Sequence, residues 1–219
     1  MKRVVYSETD LVLTLFTREL GRVSALARGA RRSQRRFGGA LEPMHTLSVR
    51  LDEREGADLL MLREASIAVA RRQLIADLDR IDAAGRALAW LRRVAPVRTP
   101  EPELWTVVTT LLDRLDDPTR APKRELAEAG LALLAALGWA IDFSRCVRCG
   151  KPAEPGLGAY VDPALGGLVC RACGGARRRL PEKILGRLRN ARLGALLEED
   201  ADIALELVET GLRAHAGVS

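Results

Sequence analysis

Histidine is scarce in this chain of 219 residues: His45 and His215 are the only two, and neither stands at a metal-ligand or general-base spacing. No Ser/His/Asp arrangement and no cluster of carboxylates suited to magnesium accompanies them. A phosphate-binding loop is missing as well, because the single Gly-Lys pair, Gly150-Lys151, lies inside a cysteine-rich stretch and not in G-x-x-x-x-G-K-[ST]. These absences argue against an enzyme. Aromatic residues make up only 4% of the chain, and the N-terminal region offers just Tyr6, Phe16 and Phe37. Base stacking needs aromatic platforms, so any nucleic-acid contact there should be mainly to phosphates, weakly sequence-dependent and strongly salt-sensitive.

Long apolar runs are also lacking. The longest, Ala129 to Ile141, is too short to span a bilayer and reads as a buried helix. The N-terminus shows no apolar segment of the signal-peptide kind, so a cytoplasmic, nucleoid-associated protein without a membrane partner is expected. Disulfides are not expected in that compartment. Hydrophobic residues at 47% and charged residues at 29% describe an ordinary globular chain with a real core. The net charge of +6 favours a polyanionic partner. That charge is uneven: residues 170–192 carry about +7 and the tail 193–219 about −5.

The first 65 residues read as short strands. Leu11–Phe16, Arg22–Ala27, Met44–Leu51 and Leu59–Leu62 have strand length, and Val4-Val5-Tyr6 reads as part of another. Leu47, Val49 and Leu51 alternate with polar neighbours, as in a half-buried strand. Gly21, Gly29, Gly38-Gly39 and Gly56 punctuate the strands at turn-like spacing. So many strands in so short a segment suggest a small closed barrel, which has no edges to protect. From about Ser66 the period becomes helical. Helices are expected at Ile67–Val94, about 103–115, about 123–140 (the core helix of this part), about 181–198 and about 201–215.

All four cysteines fall into one pattern, Cys146-x2-Cys149-x20-Cys170-x2-Cys173. Two intervening residues let a tight turn aim both thiolates of a pair at one point, and soft thiolates favour zinc in a closed tetrahedron. Four protein ligands leave no open coordination position, so one structural zinc per chain is expected. Metal-free or disulfide-bonded cysteines and an iron–sulfur cluster are the alternatives. Gly150 and Gly174 follow the pairs where the knuckles need permissive backbone, and Arg148, Lys151 and Arg171 offset the thiolate charge. Tyr160-Val161 and Leu168-Val169 flank Asp162-Pro163 and Gly166-Gly167, which predicts a hairpin between the pairs.

Arg28, Arg31, Arg32, Arg35 and Arg36 fall within nine residues, followed by Phe37 and two glycines. Like charges at that density repel one another unless an anion neutralises them. A DNA-binding segment is therefore expected at these five arginines and Phe37, with a solvated arginine loop as the alternative. A second basic run, Arg177, Arg178, Arg179 and Lys183, then Arg187, Arg189 and Arg192, comes after the last cysteines. It serves equally well as a secondary DNA-binding surface or as a helix face paired with Glu198, Glu199, Asp200 and Asp202.

Taken together, the segments Glu8–Gly21, Ala27–Pro43, Glu125–Gly138, Phe143–Gly150 and Gly166–Cys170 resemble the bacterial recombination mediator RecO family, in the family's order along nearly the whole chain. The resemblance implies an α+β protein. An OB-fold-like DNA-binding barrel would occupy 1–66, a helical domain 67–141, a four-cysteine zinc module 142–176, and C-terminal helices packing on the helical domain 177–219. The family carries further residues ahead of the Glu8 block, so the first barrel strand is expected to be incomplete. The resemblance also implies DNA repair through the RecF pathway, with binding of single- and double-stranded DNA and annealing of complementary strands. With RecR, such a protein helps load RecA onto DNA coated by single-strand-binding protein, whose C-terminal tail it contacts. No nucleotide hydrolysis belongs to this activity, in keeping with the missing phosphate loop. The competing readings are a zinc-ribbon scaffold whose basic loops meet acidic protein partners and, behind it, an RNA-binding protein.

Overall fold

The computed structural model describes residues 2–37, 40–53, 58–191, 194 and 196–216. Gly38-Gly39, Gly56 and Arg192, singled out above, lie outside the described residues. The chain divides into two compact units between Pro118 and Thr119.

The first unit opens with a five-stranded sheet: β1 (Lys2–Val5), β2 (Leu11–Thr17), β3 (Gly21–Ala27), β4 (Thr46–Asp52) and β5 (Leu60–Val69), in the order β1-β2-β3-β5-β4. Neighbours are antiparallel except β3 and β5, which run parallel through Ala25↔Leu60 and Leu26↔Met61. Period-two alternation is clear in β3, where Gly21, Val23, Ala25 and Ala27 are buried and the residues between them are not. Val23, Ala25 and Ala27 join Leu11, Leu13, Phe37, Leu60 and Leu62 in one core, with Leu47, Val49 and Leu51 half-buried against it. The expected closed barrel is not formed. Among the described residues no hydrogen-bond ladder joins β1 to β4, so the sheet is open. Alternation reports which face is buried and not whether the outer strands meet. Closure requires a matched stagger around the whole sheet, whereas β1 is four residues long and wholly exposed. Lys2 and Arg3 on β1 and Arg50 on β4 guard the edges with charge.

The strand–helix boundary also lies later than its period suggested. Residues 67–69 finish β5, and α2 (Leu78–Val94) begins only where Asp77 accepts a hydrogen bond from the Arg80 N–H at 3.1 Å. Pro102 starts α3 (Pro102–Leu115), close to its expected span. Two buried arginines fasten this unit. Arg71, 1% exposed, donates to Asp113, the Met44 carbonyl and the Thr46 hydroxyl, and its own N–H meets His45 Nδ1 at 3.2 Å. Arg80 donates to the carbonyls of Leu115, Asp117 and Pro118, satisfying groups that the end of α3 leaves open. Gly21 has φ +63°, and a Cβ there would sit 1.8 Å from the Thr99 carbonyl oxygen, so the chain after α2 can cross β3 only over a glycine.

In the second unit α4 (Pro122–Ala136) packs on α6 (Ala201–His215). Leu126, Ala127, Leu133 and Leu134 face inward from α4, and Ala204, Leu205, Val208 and Leu212 from α6. The core helix stops at Ala136, short of 140, and Gly138 comes next but one with φ +77°. A four-stranded sheet, order β6-β8-β7-β9, holds the cysteine segment: β6 (Asp142–Cys146), β7 (Ala159–Asp162), β8 (Gly167–Leu168) and β9 (Arg178–Leu180). The expected hairpin is β7–β8, with Val161 opposite Leu168. The helix expected over 181–198 is a short α5 (Glu182–Arg189), ended at Asn190.

Candidate nucleic-acid interface and metal centre

The arginine segment leaves the end of β3 through a turn at Gly29. The Asp10 carboxylate accepts the Gly29 N–H at 2.8 Å and the Thr9 hydroxyl at 2.9 Å. The Gly29 N–H, then the Thr9 hydroxyl, hold Asp10 below the usual carboxylate range, with the charge of Arg28 adding to the effect. Backbone bonds from Arg31 N–H to the Thr9 carbonyl (3.1 Å) and from Ser33 N–H to the Gly29 carbonyl (3.0 Å) complete the turn. Within the arginine segment the chain then makes one helical turn, α1 (Gln34–Phe37). Ser33 and Gln34 supply no glycine to prevent it.

Arg28, Arg31, Arg32, Arg35 and Arg36 are all exposed on this segment. The Arg31 guanidinium donates to the Glu8 carbonyl at 2.9 Å, and that of Arg36 to the Arg28 carbonyl at 2.6 Å. A guanidinium has five N–H donors, so both keep hydrogens for an incoming anion. Phe37 is a different matter. Its ring is 2% exposed and belongs to the core of the first unit, so it is unavailable for stacking on a base. The Arg36 guanidinium lies 5.0 Å from the centre of that ring. Sequence reasoning grouped Phe37 with the arginines by adjacency, and the one-turn helix is what directs it inward. Asp10 was missed altogether; no spacing rule links it to Gly29.

The four cysteine sulfurs gather within 4.8 Å of one another, and none is in a disulfide. Cys149 Sγ and Cys170 Sγ are 3.7 Å apart. A four-thiolate tetrahedron with Zn–S near 2.3 Å needs sulfurs about 3.8 Å apart, so the cluster has the size such an ion requires. Both knuckles are built by backbone. Gly150 N–H donates to the Cys146 carbonyl at 2.8 Å, Cys173 N–H to the Cys170 carbonyl at 3.0 Å, and Gly150 and Gly174 take φ values of +72° and +102°. Arg148 crosses from one knuckle to the other, donating to the Cys173 carbonyl at 3.0 Å. The Cys170 N–H, donated to Cys146 Sγ, brings that thiol down to about 6. Hydrogen bonding with the Cys170 and Cys149 sulfurs pushes Cys173 up to about 12. An ion among them would hold all four as thiolates.

The second basic run is divided by its partners. Arg178 pairs with Glu206, Arg187 with Glu199 and Asp200, and Arg189 with Glu182. Burial alone would raise Asp200, but Arg187 and the Leu197 N–H reverse this and leave its carboxyl below the usual range. Arg177, Arg179 and Lys183 are exposed and make no ion pair among the described residues. In the first unit a cleft of about 470 Å³, which no motif announced, is lined by Leu13, Phe16, Leu88, Leu91 and Trp105, with Lys2, Arg3 and Arg18 along it.

Two family models match this chain: Recombination protein O N terminal over residues 1–71 and Recombination protein O C terminal over residues 75–217. The chain belongs to the RecO family. Among its relatives, a protein named DNA repair protein RecO from Anaeromyxobacter sp. (strain K) is 42% identical over 183 residues, covering 83% of this chain and 71% of its own. The RecO of Geobacter metallireducens is 36% identical over 217 residues, 96% of this chain and 87% of its own. That of Myxococcus xanthus is 36% identical over 198 residues, 89% and 80%. The family is one of DNA repair proteins. No described helix is long and apolar enough to cross a membrane.

Proposed function

We propose that this protein is a non-enzymatic recombination mediator that binds single- and double-stranded DNA and anneals complementary strands. With RecR it helps load RecA onto DNA coated by single-strand-binding protein, whose C-terminal tail it contacts, in the cytoplasm. The observation that carries the reading is the set of five exposed arginines within nine residues on the Asp10-anchored turn and α1. Two complementary strands repel through their phosphates. A segment that neutralises several phosphates and releases their counterions lowers that repulsion without reading sequence or spending nucleotide. In this reading residues 1–66 carry DNA, 67–141 form the helical part, 142–176 are braced by one structural zinc on Cys146, Cys149, Cys170 and Cys173, and 177–219 close the protein. Arg177, Arg178, Arg179 and Lys183 form the secondary DNA-binding surface, with Arg178 exchanging Glu206 for a phosphate.

Annealing of complementary oligonucleotides, with and without a single-strand-binding protein, tests the activity. Replacing Arg31, Arg32, Arg35 and Arg36 by Ala should flatten the salt slope of single-strand binding by about 3. An unchanged slope would remove the arginine segment from the DNA path.

A further inference from the structure

Few aromatics are available to this protein, and one of them, Tyr160, is placed where a nucleobase can use it. Tyr160 lies on β7 directly opposite Arg179 of β9, so the two side chains rise from the same face of the small sheet. They line an open groove of about 390 Å³ together with Cys146, Cys170, Leu157 and Arg171. That volume lies in the range of small-ligand clefts. The Tyr160 ring rests on Gly175, where a Cβ would come 3.4–3.6 Å from three of its atoms, so the ring is braced from one side by backbone. Leu157 is 54% exposed, an apolar group left largely open to solvent beside the ring.

The charges at the rim sort cleanly. Lys151 is engaged by Glu154 at 2.8 Å, and Arg178 on the neighbouring position of β9 is engaged by Glu206. Arg171 and Arg179 are exposed, and their side chains make no ion pair or hydrogen bond among the described residues. An aromatic ring, an apolar flank and two uncommitted guanidinium groups are the elements that hold a base by stacking and its phosphates by charge.

We infer that the groove between Tyr160, Leu157, Arg171 and Arg179 is a second binding site, for a nucleotide of single-stranded DNA. The inference rests on the DNA-binding reading above and locates stacking in the cysteine module, whereas the arginine segment contacts phosphates only. A base lies against the Tyr160 ring, and its flanking phosphates reach Arg171 and Arg179. The arginine segment takes either form of DNA, and the groove, which shares Arg179 with the secondary basic surface, accepts only unpaired bases.

The test uses the full chain and a thymine-rich single strand of about 15 nucleotides carrying 5-bromodeoxyuridine. Photo-crosslinks should map to Tyr160 or Leu157. Tyr160→Leu should lower single-strand affinity about ten-fold while leaving duplex affinity unchanged, and Tyr160→Phe should restore it. Arg171→Ala with Arg179→Ala, which keeps the Tyr160 ring and its Gly175 support in place, should flatten the single-strand salt slope by about 1.4 and so carries the test if the Leu variant folds poorly. Crosslinks absent from residues 157–160 together with an unchanged slope overturn the site. Preference for an oligouridylate RNA over the DNA strand also overturns it. If the unmodified protein binds no DNA at all, the reading itself falls; if it binds and loses that binding only with the arginine-segment variants, the groove alone falls.

Discussion

Phe37 and the arginines ahead of it share one short stretch of chain and have opposite surroundings. The guanidinium groups of Arg28, Arg32 and Arg35 stand in solvent, whereas the Phe37 ring is 2% exposed in the core that holds Val23, Ala25, Leu60 and Leu62. Phe37→Ala should therefore cost about 3–5 kcal/mol of stability, read by denaturant unfolding, because it removes a buried ring and leaves a cavity. Single-strand affinity per folded molecule should stay near its unmodified value. Loss of affinity in molecules shown to be folded would return Phe37 to the DNA face. Adjacency in sequence placed Phe37 with the arginines, and the direction of a side chain within one helical turn is not visible there.

At the scale of elements, the turn that presents the arginines depends on Asp10 at the head of β2. Its carboxylate is held below the usual range by the Gly29 N–H. The unfolded value is about 3.9, and the folded value is lower, so the anchor's full contribution is present above about pH 4. It is lost as pH falls through the folded value. The Gly29 amide resonance should accordingly titrate only below about pH 4, and Asp10→Asn should abolish that titration. A Gly29 amide indifferent to acid in the unmodified protein would show that the turn is held otherwise. Strand and helix positions were largely legible: β2, β3, α3 and α6 fall within a residue or two of their expected spans. The start of α2 and the ends of α4 and α5 were less so, since apolar spacing runs on through the points where Asp77 caps α2 and where α4 and α5 stop ahead of Gly138 and at Asn190.

For the whole molecule, the metal proposal has the widest consequence. The cysteine pairs are the one cluster of metal-ligating side chains, among the described residues, that draws both knuckles together, and β7 to β9 carry the groove beside them. Structural zinc in small modules contributes on the order of 10 kcal/mol, more than a sheet of such short strands supplies. Ejecting the metal with a mercurial and a chelator should expose residues 142–180 to rapid hydrogen exchange. The salt slope that belongs to the arginine segment should persist. Native protein with far less than one zinc per chain by mass spectrometry would refute the assignment.

Composition, spacing and order were enough to establish an α+β chain, a four-cysteine cluster, a basic segment at Arg28–Arg36 and the RecO family, because each depends on residue type and separation along the chain. The tertiary structure decided the rest. It left the sheet open, since edge pairing depends on strand stagger; it buried Phe37; it bound Asp10 to Gly29; and it set Arg178 against Glu206 while leaving Arg179 uncommitted beside Tyr160. Each of those is a contact between residues far apart in sequence or a choice of face, and local pattern carries no record of either.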